Sequence, residues 1–505
     1  MKKLVLFITV LSLPLMGQAQ NAWDALRYSK VNYEGTARSL ALGNAMTAVG
    51  GDFGSLSINP AGSALYPYAE VTLTPTLSSS FSDVNYAGQG TQDRFTRVGF
   101  SNIGYVGSVA TGRGSGLVQF TFGVGYNKIQ DFTSRTSVRY NNATTSWLSP
   151  VAVSTNGFTS GDLESTDGYN PYFDSNASWR SILAWNAYLL DLLPNTTDQY
   201  IASTENLYGS EIQVGGPLDQ RFIKESTGSM GEYLLNAGFN FGDLVYAGLN
   251  LTFQNIYYKT YEKFMETAQD PGHFQSKFDS FTHTYNQVTS GMGFNLKFGM
   301  IIRATQNLRI GASVTTPTWT GLEDEWSEYM DAYFINGSES ATSPVGTYAY
   351  KVTTPFRFNV GLTYTFGQYG LFSIDYEGVD YRSMRMRAVN DGWAYDAEND
   401  AIKNGSSNYQ FQYANNIRAG VEIRLSPIAL RAGYQFGGKP EASYSHSHNI
   451  SAGLGFRSNS FFADLGAAYR LKEYETFNLY DTEEGLYGTN ETSRLKVLLT
   501  IGFRF

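Results

Sequence analysis

The fold of this chain is decided by residues 37–66, ARSLALGNAMTAVGGDFGSLSINPAGSALY. Residues 39–48 are mostly good helix formers and predict a helix of about three turns. Gly50-Gly51 ends this helix, because glycine reaches the positive φ that a helix end needs. Pro60 pushes Asn59 out of the helical region, and the Asn59 amide can bond nearby backbone. The stretch therefore predicts a helix, a glycine break and a tight turn at Asn59, Pro60, Ala61 and Gly62.

These residues alone leave two interpretations open. The stretch is either an ordinary turn that precedes the first strand, or a plug that lies inside a barrel formed by the rest of the chain. The choice depends on the pattern of the residues beyond Tyr66.

From Ala69 onward the apolar residues recur with a period of two. The last segment shows this most clearly, with one apolar face formed by Leu495, Val497, Leu499, Ile501, Phe503 and Phe505. Side chains alternate between the two faces of a strand, so one face of such a strand can meet lipid and the other a polar lumen. About fourteen segments show the pattern, near residues 69–81, 94–109, 117–139, 230–241, 245–264, 281–302, 308–320, 347–366, 370–387, 408–425, 428–437, 444–457, 461–478 and 492–505.

The connections between these segments alternate between short and long, as they do in outer-membrane barrels. An even number of strands places both termini on one side, which we expect to be the periplasm. A soluble β-sandwich would show the same alternation. The aromatic strand ends and the terminal Phe505 favour an all-β transmembrane antiparallel barrel of about fourteen strands.

The composition agrees with this fold class. Charged residues make up 16% of the 505 residues, well below the usual quarter, and aromatic residues make up 15%. The net charge is −9 and basic residues do not cluster, so nucleic acid is not expected as a partner. The chain has no cysteine, which excludes disulfides and thiolate metal sites.

The N-terminus has the pattern of a signal peptide over residues 1–19. Lys2 and Lys3 precede an apolar stretch, and Gly17-Gln18-Ala19 supplies small residues for cleavage. A retained anchor helix is the alternative, but the stretch is short and contains Pro14. The predicted organisation is a signal peptide (1–19), a periplasmic segment and plug (20–68) and a barrel (69–505).

The order of these features resembles the FadL/TodX family of outer-membrane hydrophobic-compound transporters. The resemblance rests on Gly35, Ala37, Gly43, Ala45, Ala48, Gly51-Asp52 and Ser57-Ile58-Asn59-Pro60-Ala61-Gly62. It implies that the plug is a hatch inside a barrel of fourteen strands. It also implies that the turn at Asn59, Pro60, Ala61 and Gly62 belongs to that hatch and takes part in gating.

The longest predicted loop covers residues 141–229, between the third and fourth strands. Residues 178–193, SWRSILAWNAYLLDLL, predict a helix that Pro194 ends. Its apolar side chains are either buried within the loop, a landing site for a hydrophobic molecule, or a surface that binds a protein. The candidate landing residues are Trp179, Ile182, Leu183, Trp185 and Leu189.

Two glycines in the third strand, Gly123 and Gly125, share its inward face. Glycine in a strand marks a bend or a close backbone approach. The pair therefore indicates either a kink that opens the wall sideways, as the family resemblance implies, or space for the plug.

Catalytic and cofactor motifs are not apparent. His446 and His448 share one strand face, but two histidines without a third ligand make a weak metal or haem site. The sequence shows no nucleophile elbow, nucleotide loop or zinc pattern, and Glu323-Asp324-Glu325 is expected to be a solvated charge run. We therefore predict no enzyme activity, no metal and no cofactor.

The predicted function is passive uptake of hydrophobic small molecules, either long-chain fatty acids or aromatic hydrocarbons, through an outer-membrane channel gated by the hatch. The alternative is a FadL-like barrel that docks proteins in type IX secretion, with a secretion-system or surface protein as its partner. The other expected partners are the hydrophobic ligand, outer-membrane lipid and lipopolysaccharide, and the barrel-insertion machinery during assembly.

Overall fold

The computed structural model describes residues 21–389, 395–480 and 487–505. The predicted signal peptide, residues 1–19, lies outside the described residues. The described chain forms a closed antiparallel barrel of fourteen strands, so the predicted fold class is confirmed. The barrel closes where the first strand pairs with the last, from Glu70 opposite Arg504 to Tyr86 opposite Gly488.

Each strand of the barrel pairs with its neighbours in sequence, and several long strands are interrupted by short breaks. The strands are β1 Glu70–Tyr86, β2 Gln89–Ala110, β3 Leu117–Asp131 with Ser134–Ala143, β4 Leu218–Phe241, β5 Val245–Ala268, β6 Phe278–Arg303, β7 Leu308–Thr315 with Trp319–Phe334, β8 Gly337–Thr342 with Gly346–Thr353 and Arg357–Thr365, β9 Gly370–Asp380 with Arg385–Ala388, β10 Tyr413–Leu425, β11 Ile428–Gly437, β12 Ser447–Arg457, β13 Phe461–Phe477 and β14 Gly488–Arg504.

The helices lie inside the barrel or above it. They are α1 Ala22–Ser29, α2 Ala37–Ala41, α3 Leu148–Thr155, α4 Ser160–Leu163, α5 Pro171–Asp174, α6 Trp179–Asn186 and α7 Asp396–Asn404. Short 3-10 turns cover Phe53–Ser57, Pro60–Leu65, Pro271–His273 and Tyr381–Ser383. Within the described ranges, no helix has both the length and the apolar character needed to cross a membrane.

The outer face of the barrel is apolar. Large hydrophobic side chains point outward from strand after strand, and among them are Phe100, Phe122, Leu235, Phe253, Phe298, Ile310, Val360, Phe372, Ile423, Leu454 and Leu499. Contiguous apolar surface of this extent on a folded protein marks contact with lipid or a partner, and a belt around a closed barrel is the lipid-facing surface. The buried polar residues of the same strands face the lumen.

Many strands extend further than their apolar alternation predicts. The predicted loop 141–229 is shortened to residues 144–217, because β3 continues to Ala143 and β4 already begins at Leu218. The added strand residues, such as those of 218–229, are mostly polar on both faces. A polar strand end lacks the period-two signal, so this boundary prediction was wrong.

Residues 144–217 form a folded cap over one mouth of the barrel. The cap contains α3 to α6 and two small hairpins, Leu190–Leu192 with Tyr200–Ala202 and Glu205–Tyr208 with Glu211–Val214. Its apolar core includes Trp147 and continues into the strand ends through Phe264 and Phe281. The carboxylate of Glu266 on β5 fixes the start of the cap by accepting from Ser146 Oγ and from the Trp147 amide, each at 2.7 Å.

We predict that a charge on the lipid-facing belt destabilises the barrel. Val360 on β8 points outward and is 45% exposed, so Val360→Arg should lower the free energy of unfolding in liposomes by about 2 kcal/mol or more. The control is Ile335→Arg, a 57% exposed residue at the hairpin turn that joins β7 to β8. Equal losses of unfolding free energy in the two variants would contradict the placement of the lipid-facing belt.

Candidate functional site

The lumen is filled by the chain's own N-terminal segment, residues 21–66, which we call the plug. Residues 33–50 and 52–64 of the plug are all buried. The plug contains α1, α2 and the two 3-10 turns Phe53–Ser57 and Pro60–Leu65. The segment that the sequence predicts as a short helix and turn therefore lies inside the barrel.

The predicted helix over residues 39–48 is wrong in extent, because α2 ends at Ala41. Gly43 follows with a φ of +62°, and a Cβ at this position would lie 2.8 Å from the backbone nitrogen of Tyr434 on β11. The helix ends there because the wall is too close for a side chain, which overrides the helix propensity of the sequence. Gly50 and Gly51 have the predicted positive φ, at +61° each.

The turn at Asn59, Pro60, Ala61 and Gly62 is buried against the wall. The Asn59 side chain accepts from the Ala61 amide at 3.0 Å and donates to Thr47 O at 2.6 Å. It thus holds two separate parts of the plug together. The predicted role of its amide in holding the turn agrees with this geometry, and its role in gating stays a prediction.

The plug approaches the wall so closely that many strands carry a glycine at the contact. A Cβ on any of these glycines would collide with the plug. This set, which we call the glycine belt, is Gly104, Gly125, Gly238, Gly248, Gly299, Gly311, Gly420, Gly433, Gly453 and Gly466. Members on adjacent strands face each other, as in the pairs Gly238 with Gly248 and Gly248 with Gly299.

Contact with the plug explains the two glycines of the third strand. A Cβ on Gly125 would lie 2.6 Å from the ring of Phe53, and one on Gly123 would lie 3.3 Å from the side chain of Leu56. Phe53 and Leu56 both belong to the plug. The close approach of the plug therefore accounts for this pair.

Polar wall side chains supply the hydrogen bonds that the irregular plug backbone needs, since it is excluded from water. The donors and their acceptors are Lys297 Nζ to Ser57 O (2.8 Å), Asn250 Nδ2 to Leu56 O (2.7 Å), Ser313 Oγ to Ile58 O (2.7 Å), Arg309 Nη1 to Val49 O (3.0 Å), Gln435 Nε2 to Gly43 O (2.8 Å), Ser101 Oγ to Gly35 O (2.8 Å) and Ser451 Oγ to Ala41 O (3.1 Å). The plug is thus attached around most of the circumference.

A buried ionic chain adds to this attachment. Arg38 of the plug donates to Glu422 at 2.9 Å, and Arg431 bridges Glu422 to Asp464 at 2.7 Å on each side. Burial alone would lower the pKa of Arg38, but the adjacent Glu422 carboxylate outweighs this effect and the pKa lies well above its ordinary value. Arg38 therefore stays charged, and its removal would leave a buried carboxylate with one partner fewer.

Above the glycine belt the plug fills an apolar chamber. Tyr28 of α1 packs edge-on against Phe132 and Tyr258, with ring centroids 6.2 and 6.5 Å apart. Trp23 packs among three aromatic rings, of which the Tyr409 ring is the nearest at 5.5 Å. A cavity beside α1 has a volume of about 20 Å³, which is room for roughly one water molecule. In this state the plug occupies the chamber.

The wall itself is discontinuous between β2 and β3. The two strands pair only from Asn102 opposite Asn127 to Ala110 opposite Gln119. After Asn127, the plug replaces β2 as the partner of β3. The Asn32 amide donates to Ile129 O at 2.7 Å, and the Glu34 amide donates to Lys128 O at 3.1 Å. The plug therefore covers the free edge of β3.

The cap places the five candidate landing residues in two different environments. Ile182, Leu183 and Leu189 are fully buried in the cap core. Trp179 and Trp185 are half-buried and pack against Trp326 and Tyr200 at 5.4 and 5.6 Å. Of the five, only the two tryptophans have surface that a ligand can reach.

The predicted helix over residues 178–193 is also wrong in extent, because α6 ends at Asn186. Tyr188 then adopts a φ of +57° and residues 190–192 form a strand. The pairing of Leu190–Leu192 with Tyr200–Ala202 overrides the helical pattern.

Several parts of this site are not predicted by the sequence. Helix α1 is one, since residues 21–34 carry mixed polar and aromatic residues without a clear period. The glycine belt and the break between β2 and β3 are the others, because both depend on strand register. The recurrence of glycine inside so many strands is the one sequence signal that indicates the glycine belt.

A closed barrel that holds its own N-terminal segment in the lumen and carries a folded cap over one mouth is a plugged transmembrane barrel. Its fold is that of the FadL/TodX hydrophobic-compound transporters, so the predicted resemblance is confirmed at the level of the fold. The crystal structure of the P. putida toluene transporter TodX matches with a TM-score of 0.53 and 12% identity, over 94% of this chain and 98% of that one. A Pseudomonas aeruginosa FadL homologue matches with a TM-score of 0.52 and 11% identity, over 94% and 99%.

No family model matches the sequence, and no curated protein matches it.

We predict that a side chain in the glycine belt displaces the plug. Gly299→Val should force Asn59 away from β6, because a Cβ at Gly299 collides with the Asn59 side chain. The plug should then become more accessible, which is measured as faster thiol labelling of a Ser57→Cys reporter in this cysteine-free chain.

The matched control is Gly321→Val on β7, where a Cβ has open space around it. Heat-modifiable gel mobility would verify that both barrels are assembled. Equal labelling rates in the two assembled variants would show that the belt does not hold the plug.

Proposed function

We propose that this protein is an outer-membrane channel for the passive uptake of hydrophobic small molecules, gated by the plug. The observation that carries the proposal is the apolar chamber above the glycine belt, which α1 fills with Leu26 and Tyr28. An apolar chamber in the lumen, closed by a segment of the same chain, suits a hydrophobic cargo that must not remain open to water. The related fold of TodX, which is described as a toluene transporter, supports the same function.

The proposed orientation follows from the two ends of the barrel. Glu70 and Arg504 lie side by side at one end, and the cap covers the other. We assign the cap to the outside of the cell and the Glu70 end to the periplasm. Trp179 and Trp185 then present the cap surface on which a hydrophobic molecule arrives.

The need for a movable plug follows from the energetics of an apolar chamber. Each buried CH₂ contributes about 0.8 kcal/mol, so a rigid chamber that encloses a long chain would release it slowly. A plug that shifts changes the shape of the chamber and lets the ligand leave. In this proposal the hatch residues Asn59, Pro60, Ala61 and Gly62 form the part that holds the plug closed.

We predict that Asn59→Ala increases uptake in an assembled barrel. The change removes the hydrogen bonds to Thr47 and Ala61, which together stabilise the closed plug by about 2 kcal/mol, or roughly 30-fold in population. Uptake of radiolabelled palmitate and of toluene would be measured in cells that depend on this barrel.

The control for this variant is Asn408→Ala, an exposed asparagine in the connection before β10. Should the Asn59 variant assemble normally and take up both compounds at the wild-type rate, the gating role of the hatch would be wrong.

A further inference from the structure

One carboxylate of the plug lies between two lysines of the wall. Glu34 is fully buried, and its Oε2 is 3.4 Å from Lys128 Nζ on β3 while its Oε1 pairs with Lys496 on β14. The Glu34 amide also bonds the free edge of β3. The carboxylate therefore lies at the point where the plug covers the break in the wall.

The cations around Glu34 outnumber the carboxylates. Lys128 pairs with Glu34 and Asp131 at 3.4 and 3.8 Å, and Lys496 pairs with Glu34. Arg494 lies beside Asp131, next to Arg470 and Glu473, which pair with each other at 3.8 Å. Arg494 donates to the carbonyl oxygens of Asp131 and Thr133, at 2.8 Å each, rather than to a carboxylate. Removal of Glu34 would leave the buried Lys128 and the half-buried Lys496 and Arg494 beside one carboxylate, that of Asp131, which is unfavourable away from bulk water.

Two buried hydroxyl groups on β1 face the same region. Thr76 and Ser78 are 4% and 2% exposed, and neither hydroxyl has a hydrogen-bond partner in the described part of the chain. Ser78 is directly opposite Lys496 in the ladder. A Cβ built on Gly99 would lie 3.6 Å from Lys128 Nζ and 3.8 Å from Thr76 Cγ2, so Lys128 and Thr76 border one space. Each of these two hydroxyls can therefore donate a hydrogen bond to an acceptor that enters this space.

The apolar chamber continues from this polar region. Ile129 follows Lys128 on β3, Phe132 lies in the break after Asp131, and both are buried in the core that surrounds α1. On the plug, the apolar side chains of Leu26 and Tyr28 precede Glu34. The plug thus presents to the wall the two chemical parts of an amphipathic acid, an apolar body and a carboxylate.

We propose that Lys128, Lys496, Thr76 and Ser78 form a binding site for the carboxylate head of a long-chain fatty acid, and that Glu34 occupies this site while the plug is closed. This inference rests on the proposed channel function and selects the acid over a neutral hydrocarbon. A fatty acid that takes the place of Glu34 restores the charge balance and so favours release of the plug. Binding of the acid and opening of the plug are then thermodynamically linked.

The test is Glu34→Gln, which removes the competing charge and keeps the shape of the side chain. Binding of radiolabelled palmitate and of methyl palmitate would be compared by equilibrium dialysis against protein-free micelles. The affinity for palmitate should rise about tenfold, in the range of a charge-assisted contact, while that for the ester stays unchanged. The variant Lys496→Met in the Glu34→Gln background should abolish this gain.

The control Lys472→Met removes an exposed lysine on β13 and should leave both affinities unchanged. An equal gain for acid and ester in Glu34→Gln would show that the change merely loosens the plug, and would overturn the carboxylate site while leaving the channel intact. Failure of wild-type and variant barrels to bind either compound would instead overturn the proposed function itself.

Discussion

The structure depends on one constraint, which is that an irregular backbone inside a barrel must find hydrogen bonds and space at the wall. Between them, the plug carbonyl groups accept from lysine, asparagine, serine, arginine and glutamine side chains of the wall. The glycine belt supplies the space, because any side chain there would collide with the plug. These two features are complementary, and together they hold the plug in one position.

The same constraint divides the plug into two parts. Residues 37–66 touch the glycine belt and are held by polar contacts around the wall. Helix α1 is held mainly by apolar and aromatic packing, as at Trp23 and Tyr28. The segment between them, which contains Glu34, covers the place where β2 and β3 separate. The plug thus joins the apolar chamber to the discontinuity in the wall.

The sequence predicts the strands well and the interior poorly, for physical reasons. All fourteen segments were predicted because a lipid-facing strand alternates strictly between apolar and polar residues. The polar upper ends of β3 and β4 were missed, since no lipid faces them. The helices at residues 39–48 and 178–193 were predicted too long, because contacts at Gly43 and the pairing of Leu190 override local propensity. The lysines around Glu34 come from β3 and β14, so only the closed barrel brings them together.

The central claim is that the plug must move for a hydrophobic molecule to pass, and a disulfide lock tests it most directly. Ser63 Oγ of the plug and Thr121 Oγ1 of β3 are 3.2 Å apart, so Ser63→Cys with Thr121→Cys can join the plug to the wall without adding a side chain to the glycine belt. Gly54→Cys with Ser39→Cys, at 2.9 Å, forms a matched bridge within the plug. The account predicts that oxidation of the first pair stops palmitate uptake, that reduction restores it, and that the second pair has no effect. Normal uptake through the oxidised first pair would contradict the account.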